Sequence, residues 1–209
     1  MNETFTKSNV DSVSIRRIVV PRVLEKVYNA ASQKAGHGAK GVAFAAAVVA
    51  AQNYMKEVST KGKASALAKA RRMAFDPMVY ASLREVLGGR AQWIVAGGAP
   101  LDPELMAFFR GAGVPVYEGY GLTETTAPCA FNPLGVPYHQ GSVGVAFPGF
   151  ELRIAEDEEI QVKGTAVFPK YHKNERSRQW GSRYAIRAGR NLPDKEFRYL
   201  RANIPVPPI

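Results

Sequence analysis

The 209-residue sequence has a single cysteine, Cys129, which excludes an intrachain disulfide framework and fits a reducing compartment. Its three histidines, His37, His139 and His172, are too scattered for a metal cluster and read as surface or turn residues. The longest apolar run, residues 41–51, is alanine-rich and well short of the roughly 20 residues a membrane span needs. Residues 1–11 are polar, so no charged-then-apolar secretory signal opens the sequence. No internal repeat is present. Together these absences lead to the expectation of a soluble cytoplasmic protein. What is there is ordinary in bulk: 46% hydrophobic residues, enough for a real core in one domain or one and a half.

The net charge of +10 would suit nucleic acid or an anionic membrane face, but its distribution argues otherwise. Residues 176–209 hold eight basic and two acidic side chains, so the last stretch carries +6 of the total. The body is left with +4, and no specific nucleic-acid contact is expected. The basic stretch 56–72 reads as a solvated helix face, with contact to phospholipid (peripheral membrane contact) or to acidic partners left open as its alternative.

Periodicity organises the chain. Pro21 suits the first position of a helix, and Val23, Leu24, Val27, Tyr28 and Ala31 then recur at helical spacing until Gly36-His37-Gly38 breaks it. Further helices are predicted over about 40–58 and 65–73. Asp76-Pro77 reads as an N-cap with a first-turn proline, opening a helix to Leu87 that Gly88-Gly89 closes. Residues 91–96 read as a buried strand, Asp102-Pro103-Glu104 as the start of a capped helix ending at Gly111, and residues 114–117 as the next strand. Strand, helix and strand with short links form a parallel βαβ unit, in which ligands bind beyond the carboxyl ends of the strands. Past Pro128 the pattern changes. Residues 149–155 and 159–163 alternate as short antiparallel strands around the acidic turn Glu156-Asp157-Glu158. Pro205, Pro207 and Pro208 discourage regular structure at the end.

Both predicted strand ends carry glycines. Gly97-Gly98-Ala99-Pro100-Leu101 follows the first. The run Tyr117-Glu118-Gly119-Tyr120-Gly121-Leu122-Thr123-Glu124-Thr125-Thr126 follows the second. Each residue type there suits a nucleotide: glycines allow close backbone approach, a tyrosine ring stacks on a base, a threonine hydroxyl donates to a phosphoryl oxygen, and a carboxylate holds magnesium beside phosphates. Each also has a plainer use. Tyr120 could be a core ring, Thr123 and Glu124 a helix N-cap with its acidic neighbour, and Gly97-Gly98 a strand-to-helix turn. Cys129, just past the run, reads as a small buried filler rather than a nucleophile.

The run from Tyr120 to Glu124 resembles the Tyr-Gly-x-Thr-Glu signature of the adenylate-forming (AMP-binding) acyl-CoA ligases, and Gly97–Leu101 lies upstream at that family's spacing. Gly141-Ser142-Val143-Gly144 through Pro148-Gly149 to Glu151–Ile154, then residues 159–164, Phe168 and residues 171–174, follow in family order. Val20-Pro21-Arg22-Val23-Leu24-Glu25-Lys26-Val27-Tyr28 is similar to the long-chain fatty-acid branch. The resemblance spans about residues 18–175. It implies an α/β fold: a partial parallel βαβ sheet flanked by helices, followed by a short antiparallel β segment, as in part of the large N-terminal domain of an acyl-CoA ligase. The division it implies is an unmatched segment 1–17, an adenylate-binding α/β part 18–128, a β part 129–175 and a basic unmatched tail 176–209.

The family joins fatty acid and coenzyme A at the expense of ATP, by way of an acyl-adenylate. Carried over, Tyr120 stacks on adenine, with Gly121 beside it. Thr123 bonds the α-phosphate and Glu124 ligates Mg2+, the two assigned as catalytic. Gly97, Gly98 and Ala99 line the adenine and acyl pocket, and Glu118 and Gly119 flank the adenine edge through backbone groups. The implied cofactors are ATP/AMP, Mg2+ and coenzyme A as co-substrate, and the partners are these small molecules with a fatty acid. The sequence departs from the family in lacking the phosphate loop ending in Pro-Lys-Gly, any Thr-Gly-Asp motif, and the C-terminal domain with its catalytic lysine. The expectation is therefore a ligase fragment inactive alone, with reading-frame shifts explaining both abrupt edges. The alternatives are one chain of a split ligase needing a complementing chain, and a non-catalytic AMP-binding, acyl-binding or basic interaction protein.

Overall fold

A computed structural model describes residues 15–89, 91–126, 128–132, 141–154, 160–168, 172 and 184–185. The expectations for the first 14 residues, His139, the acidic turn 156–158, residues 173–175 and the proline-ended tail lie outside the described residues. Among those described, no helix is long and apolar enough to cross a membrane.

The elements run β1 (Ile15–Val19), α1 (Pro21–Ala35), α2 (Ala39–Lys61), α3 (Ala66–Ala74), a π-helical turn (Asp76–Tyr80), α4 (Ala81–Val86), β2 (Ala91–Ala96), α5 (Pro103–Gly111), β3 (Val116–Gly121), a 3₁₀ turn (Thr123–Thr125), β4 (Pro128–Phe131), β5 (Val145–Ala146), β6 (Phe150–Ile154), β7 (Ile160–Gly164) and β8 (Tyr184–Ala185). Strands β1 to β5 form a sheet in chain order, and β6 to β8 a second, antiparallel one. β2, α5 and β3 make the expected βαβ unit. By contact density the chain divides into two units. The first lies within Met1–Ile94 and Glu104–Val116, the second within Val95–Pro103 and Tyr117–Ile209.

The first unit is a helical core built on small residues. Alanines 47, 50 and 51 of α2 are buried with Phe44, Val48 and Met55, as are Met106, Phe108 and Phe109 of α5. Tyr28, Phe44, Phe108 and Phe109 form an aromatic cluster of tilted and edge-on pairs with ring centroids 5.3–6.0 Å apart. The last residue of α5 comes so close to α2 that a Cβ on Gly111 would sit 2.4 Å from the Ala51 carbonyl oxygen. The buried Tyr80 hydroxyl donates to the Ala47 carbonyl at 2.6 Å, and burial pushes its pKa up to about 12.

Arginines close the C-terminal end of α5, where helix carbonyls lack intrahelical donors. Arg72 Nε donates to the Gly111 carbonyl, and the Arg72 guanidinium also lies over the Tyr54 ring, 5.3 Å from its centroid. Arg84 Nη1 donates to the Ala112 carbonyl at 2.8 Å. Arg84 is held in turn by Asp76, which accepts from both terminal nitrogens at 2.9 and 2.7 Å.

Two local expectations are corrected here. Asp76 does not cap a helix: its carboxylate is committed to Arg84, and the segment behind it winds as a π-helical turn before α4. β3 begins later than expected and runs through Gly119 and Gly121, because β4 pairs with it antiparallel (Gly119 opposite Phe131, Tyr120 opposite Ala130). Ser65 caps α3, its hydroxyl accepting from the Ala68 N–H. Glu57, accepting from the Ser65 N–H and hydroxyl, fixes the turn before it.

Two measurements check this account. Gly111→Ala is expected to destabilise the first unit by about 1–3 kcal/mol by overpacking, read from denaturant midpoints. The Arg84 hydrogen bonds hold the Asp76 carboxyl below its ordinary value, so its contribution is complete above the ordinary aspartate pKa of about 4 and is lost as pH falls through the lowered one. Asp76→Asn is therefore expected to lower stability at neutral pH and to flatten the acid limb of the stability–pH curve.

Candidate active site

Every residue singled out for nucleotide chemistry lies in the second unit, and the structure joins the two glycine-bearing motifs there. Where β2 ends, Gly97 faces β3 so closely that a Cβ on it would sit 3.0 Å from the Gly119 carbonyl oxygen. Gly98 follows with φ +81°, a left-handed conformation that glycine adopts without strain. Gly98, Ala99 and Pro100 are exposed and Leu101 is buried. The Leu101 N–H donates to Glu118 Oε1 at 3.3 Å, so the carboxylate of one motif holds the backbone of the other. Glu118 is buried, and its carbonyl accepts from the Asn132 backbone N–H at 3.1 Å and from Asn132 Nδ2 at 3.5 Å.

Gly119 and Tyr120 stand in the β3–β4 ladder, and the register is irregular between Tyr120 and Gly121. A Cβ on Gly119 would touch Val95, Phe131 and Pro128 side chains at 3.4–3.6 Å, so protein groups occupy that side of the strand. The Tyr120 ring, partly exposed, packs against the cluster of Cys129, Ile160 and Val162. Burial, and secondarily Cys129, pushes its phenol pKa up to about 12. Cys129 is fully buried, and burial raises its thiol pKa, which keeps it a thiol rather than a nucleophilic thiolate at neutral pH.

The turn after Gly121 separates two kinds of threonine. Thr123 is exposed. Thr125 is fully buried, and its hydroxyl donates to the Leu122 carbonyl and accepts from the Leu122 N–H, both at 2.9 Å. The self-capping residue of the motif is thus Thr125, not Thr123, which leaves the Thr123 hydroxyl on the surface. Glu124 is half-buried, and its carbonyl accepts from the Phe168 N–H at 2.8 Å. Thr126 has φ +63°, the sole positive value for a non-glycine among the described residues and a strained one for a β-branched side chain. Its hydroxyl donates to the Ala166 carbonyl at 2.7 Å, so residues 166–168 pin the turn from outside the motif. Sequence reading missed Thr125, Thr126, Asn132 and the backbone of residues 166–168. Of these, the threonines lay inside the nucleotide motif and Phe168 in the family-like stretch beyond it.

One half-buried carboxylate at an exposed hydroxyl suits magnesium, which usually keeps several waters and binds through one or two carboxylates together with substrate phosphates. Among the described residues no group of three His, Cys, Asp or Glu side chains offers an all-protein cage.

Residues 17–172 match the family described as AMP-binding enzyme. The chain belongs to that family. It is 45% identical over 163 residues to the long-chain-fatty-acid–CoA ligase FadD15 of Mycobacterium bovis, covering 77% of this chain and 26% of that protein. It is 30% identical over 172 residues to long-chain-fatty-acid–CoA ligase 6 of Rattus norvegicus, covering 75% of this chain and 23% of that protein. Among solved structures it is similar to the o-succinylbenzoate coenzyme A synthetase of Bacillus subtilis in complex with ATP and magnesium ion. That likeness is 27% identity over 51% of this chain and 26% of that one, with a TM-score of 0.43. The chain spans about a quarter of the length of the curated relatives it matches.

The two threonines give a test of the site's local design. Thr125→Val, which leaves the part-buried Leu122 N–H without its hydroxyl acceptor, is expected to cost about 1–3 kcal/mol of stability. Thr123→Val, at the exposed neighbour, is expected to change stability by less than about 0.5 kcal/mol. Thermal melts of the two variants side by side check this.

Proposed function

We propose that this AMP-binding family chain carries the adenylate-binding portion of a long-chain fatty-acid–CoA ligase, and that it does so in the cytoplasm. The observation that carries the reading is the junction of the two motifs: Gly97 against the Gly119 carbonyl, and the Leu101 N–H on Glu118, with the exposed Thr123 and half-buried Glu124 one turn further on. In this reading residues 18–128 form the adenylate-binding part and 129–175 the β part.

The roles follow from the exposures. Tyr120 offers a ring held rigid by the apolar cluster on which adenine stacks, and Gly121 leaves room beside it. Gly98 and Ala99, exposed at the end of β2, line the pocket, with Gly97 setting the turn. Glu118 does not meet the base with its side chain. It fixes the strand whose backbone, at Glu118 and Gly119, borders the adenine edge. The Thr123 hydroxyl donates to the α-phosphate and Glu124 holds Mg2+, whose chemistry is to neutralise charge on the phosphates of ATP. The fatty acid and coenzyme A are the other substrates. The phosphate loop and the catalytic lysine have no counterpart among these 209 residues, so the reading assigns these residues adenylate binding and not turnover by themselves.

Calorimetric titration of the 209-residue chain with AMP tests the reading. Binding is expected, and Tyr120→Ala should weaken it about tenfold or more, the scale of one base stacked on an aromatic ring, while Tyr120→Phe retains it. Thr123→Val should weaken AMP binding without lowering the melting temperature, and the chain alone should show no fatty-acid-dependent ATP–pyrophosphate exchange. Absence of AMP binding by a folded chain, or binding indifferent to both Tyr120→Ala and Thr123→Val, refutes the assignment.

A further inference from the structure

The unusual surface of the first unit is the outer side of α3. Successive helix residues step by about 100°, so residues four apart lie nearly in line. Ala66, Ala70 and Ala74 form such a line, and all three are exposed. Leu67 and Met73 border it on either side, 59% and 66% exposed. Beyond them lie the cations: Arg71 is one turn from Leu67, and Lys69 one turn from Met73, both exposed. The helix therefore turns an apolar stripe to solvent and flanks it with positive charge on both sides.

Its rotation is fixed from below. Ala68 is buried on the opposite side, and Arg72 reaches inward to the Tyr54 ring and the Gly111 carbonyl. The stripe cannot turn inward without breaking both Arg72 contacts. The surroundings have the same sign. Between Glu57 and Asp76 the sequence has five basic residues, Lys61, Lys63, Lys69, Arg71 and Arg72, and no acidic one. The two bounding carboxylates are already engaged, Glu57 by Ser65 and Asp76 by Arg84. Met78, 66% exposed just past the helix, adds a further apolar side chain.

Nucleic acid would account for the cations but not for two large apolar side chains turned to water at the centre of the patch. An anionic bilayer surface accounts for both. Leucine, methionine and alanine enter the boundary between headgroups and acyl chains, while flanking lysine and arginine stems run along it and place their charges among lipid phosphates. We propose that α3 is an interfacial docking helix for anionic phospholipid membranes. This surface lies in the first unit and is independent of the nucleotide-site reading.

The test is co-sedimentation of the full 209-residue chain with vesicles of phosphatidylcholine containing about one-third phosphatidylglycerol, against vesicles of phosphatidylcholine alone. Binding to the mixed vesicles is expected, weakened by salt, with little binding to the neutral ones. Two double variants separate the contributions: Leu67→Ser with Met73→Ser, and Lys69→Glu with Arg71→Glu. Each is expected to lower partitioning about tenfold or more, at unchanged far-UV circular dichroism, since none of the four side chains is buried. The proposal is overturned if the wild-type chain does not bind the mixed vesicles. It is equally overturned if both variants bind as the wild type does, which would leave the basic tail as the lipid contact. It also fails if the serine pair alters self-association and not vesicle binding, making the stripe a contact between copies. And it fails if charge reversal abolishes binding to a duplex oligonucleotide while the serine pair leaves vesicle binding intact, making the patch a polyanion site.

Discussion

The second unit depends on one close approach of two backbones. Gly97 faces the Gly119 carbonyl so closely that a Cβ on Gly97 would sit 3.0 Å from that oxygen, inside ordinary contact distance. That approach puts the end of β2 beside β3, where Glu118 can hold the Leu101 N–H and, through its carbonyl, Asn132. Three segments distant in sequence are thereby fixed around one buried residue, Glu118, whose carboxylate is buried with it. Its burial is tolerable because hydrogen bonds meet it there. The exposed Gly98–Ala99 backbone sits at the edge of this knot, while the Thr123–Glu124 turn is held by Thr125 from within and by residues 166–168 from outside.

Much of the fold was legible because local chemistry and tertiary structure agreed. Pro21 begins α1, Gly36–Gly38 ends it, and residues 91–96 form the strand their apolar run predicts. The failures share a cause. Gly119 and Gly121 read as loop because glycine is a poor strand former, but pairing with β4, which no local pattern announces, extends β3 through both. Asp76 before a proline reads as a cap, but a guanidinium eight residues on claims its carboxylate. Within the motif, the order of the threonines shows which are candidates for phosphate contact, but not that Thr125 spends its hydroxyl on Leu122 while Thr123 remains outside.

The two units use arginine and small residues to different ends. In the first, Arg72 and Arg84 quench the carbonyls at the end of α5 and, by doing so, set the roll of α3 and the seat of the π-helical turn. In the second, backbone carbonyls are met mostly by backbone amides and hydroxyls: Phe168 to Glu124, Thr126 to Ala166, Asn132 to Glu118. That leaves the exposed Thr123 hydroxyl at the surface of the turn, available to a ligand.

At the meeting of α5 and α2, a Cβ on Gly111 would have to share space with the Ala51 carbonyl. Every other encoded amino acid brings at least that one carbon. Codon changes that leave the protein unaltered pass at this site, and those that alter it meet the same obstacle whatever the chemistry of the newcomer. Position 111 therefore has an alphabet of one letter, set not by any reaction but by the width of a gap between two helices.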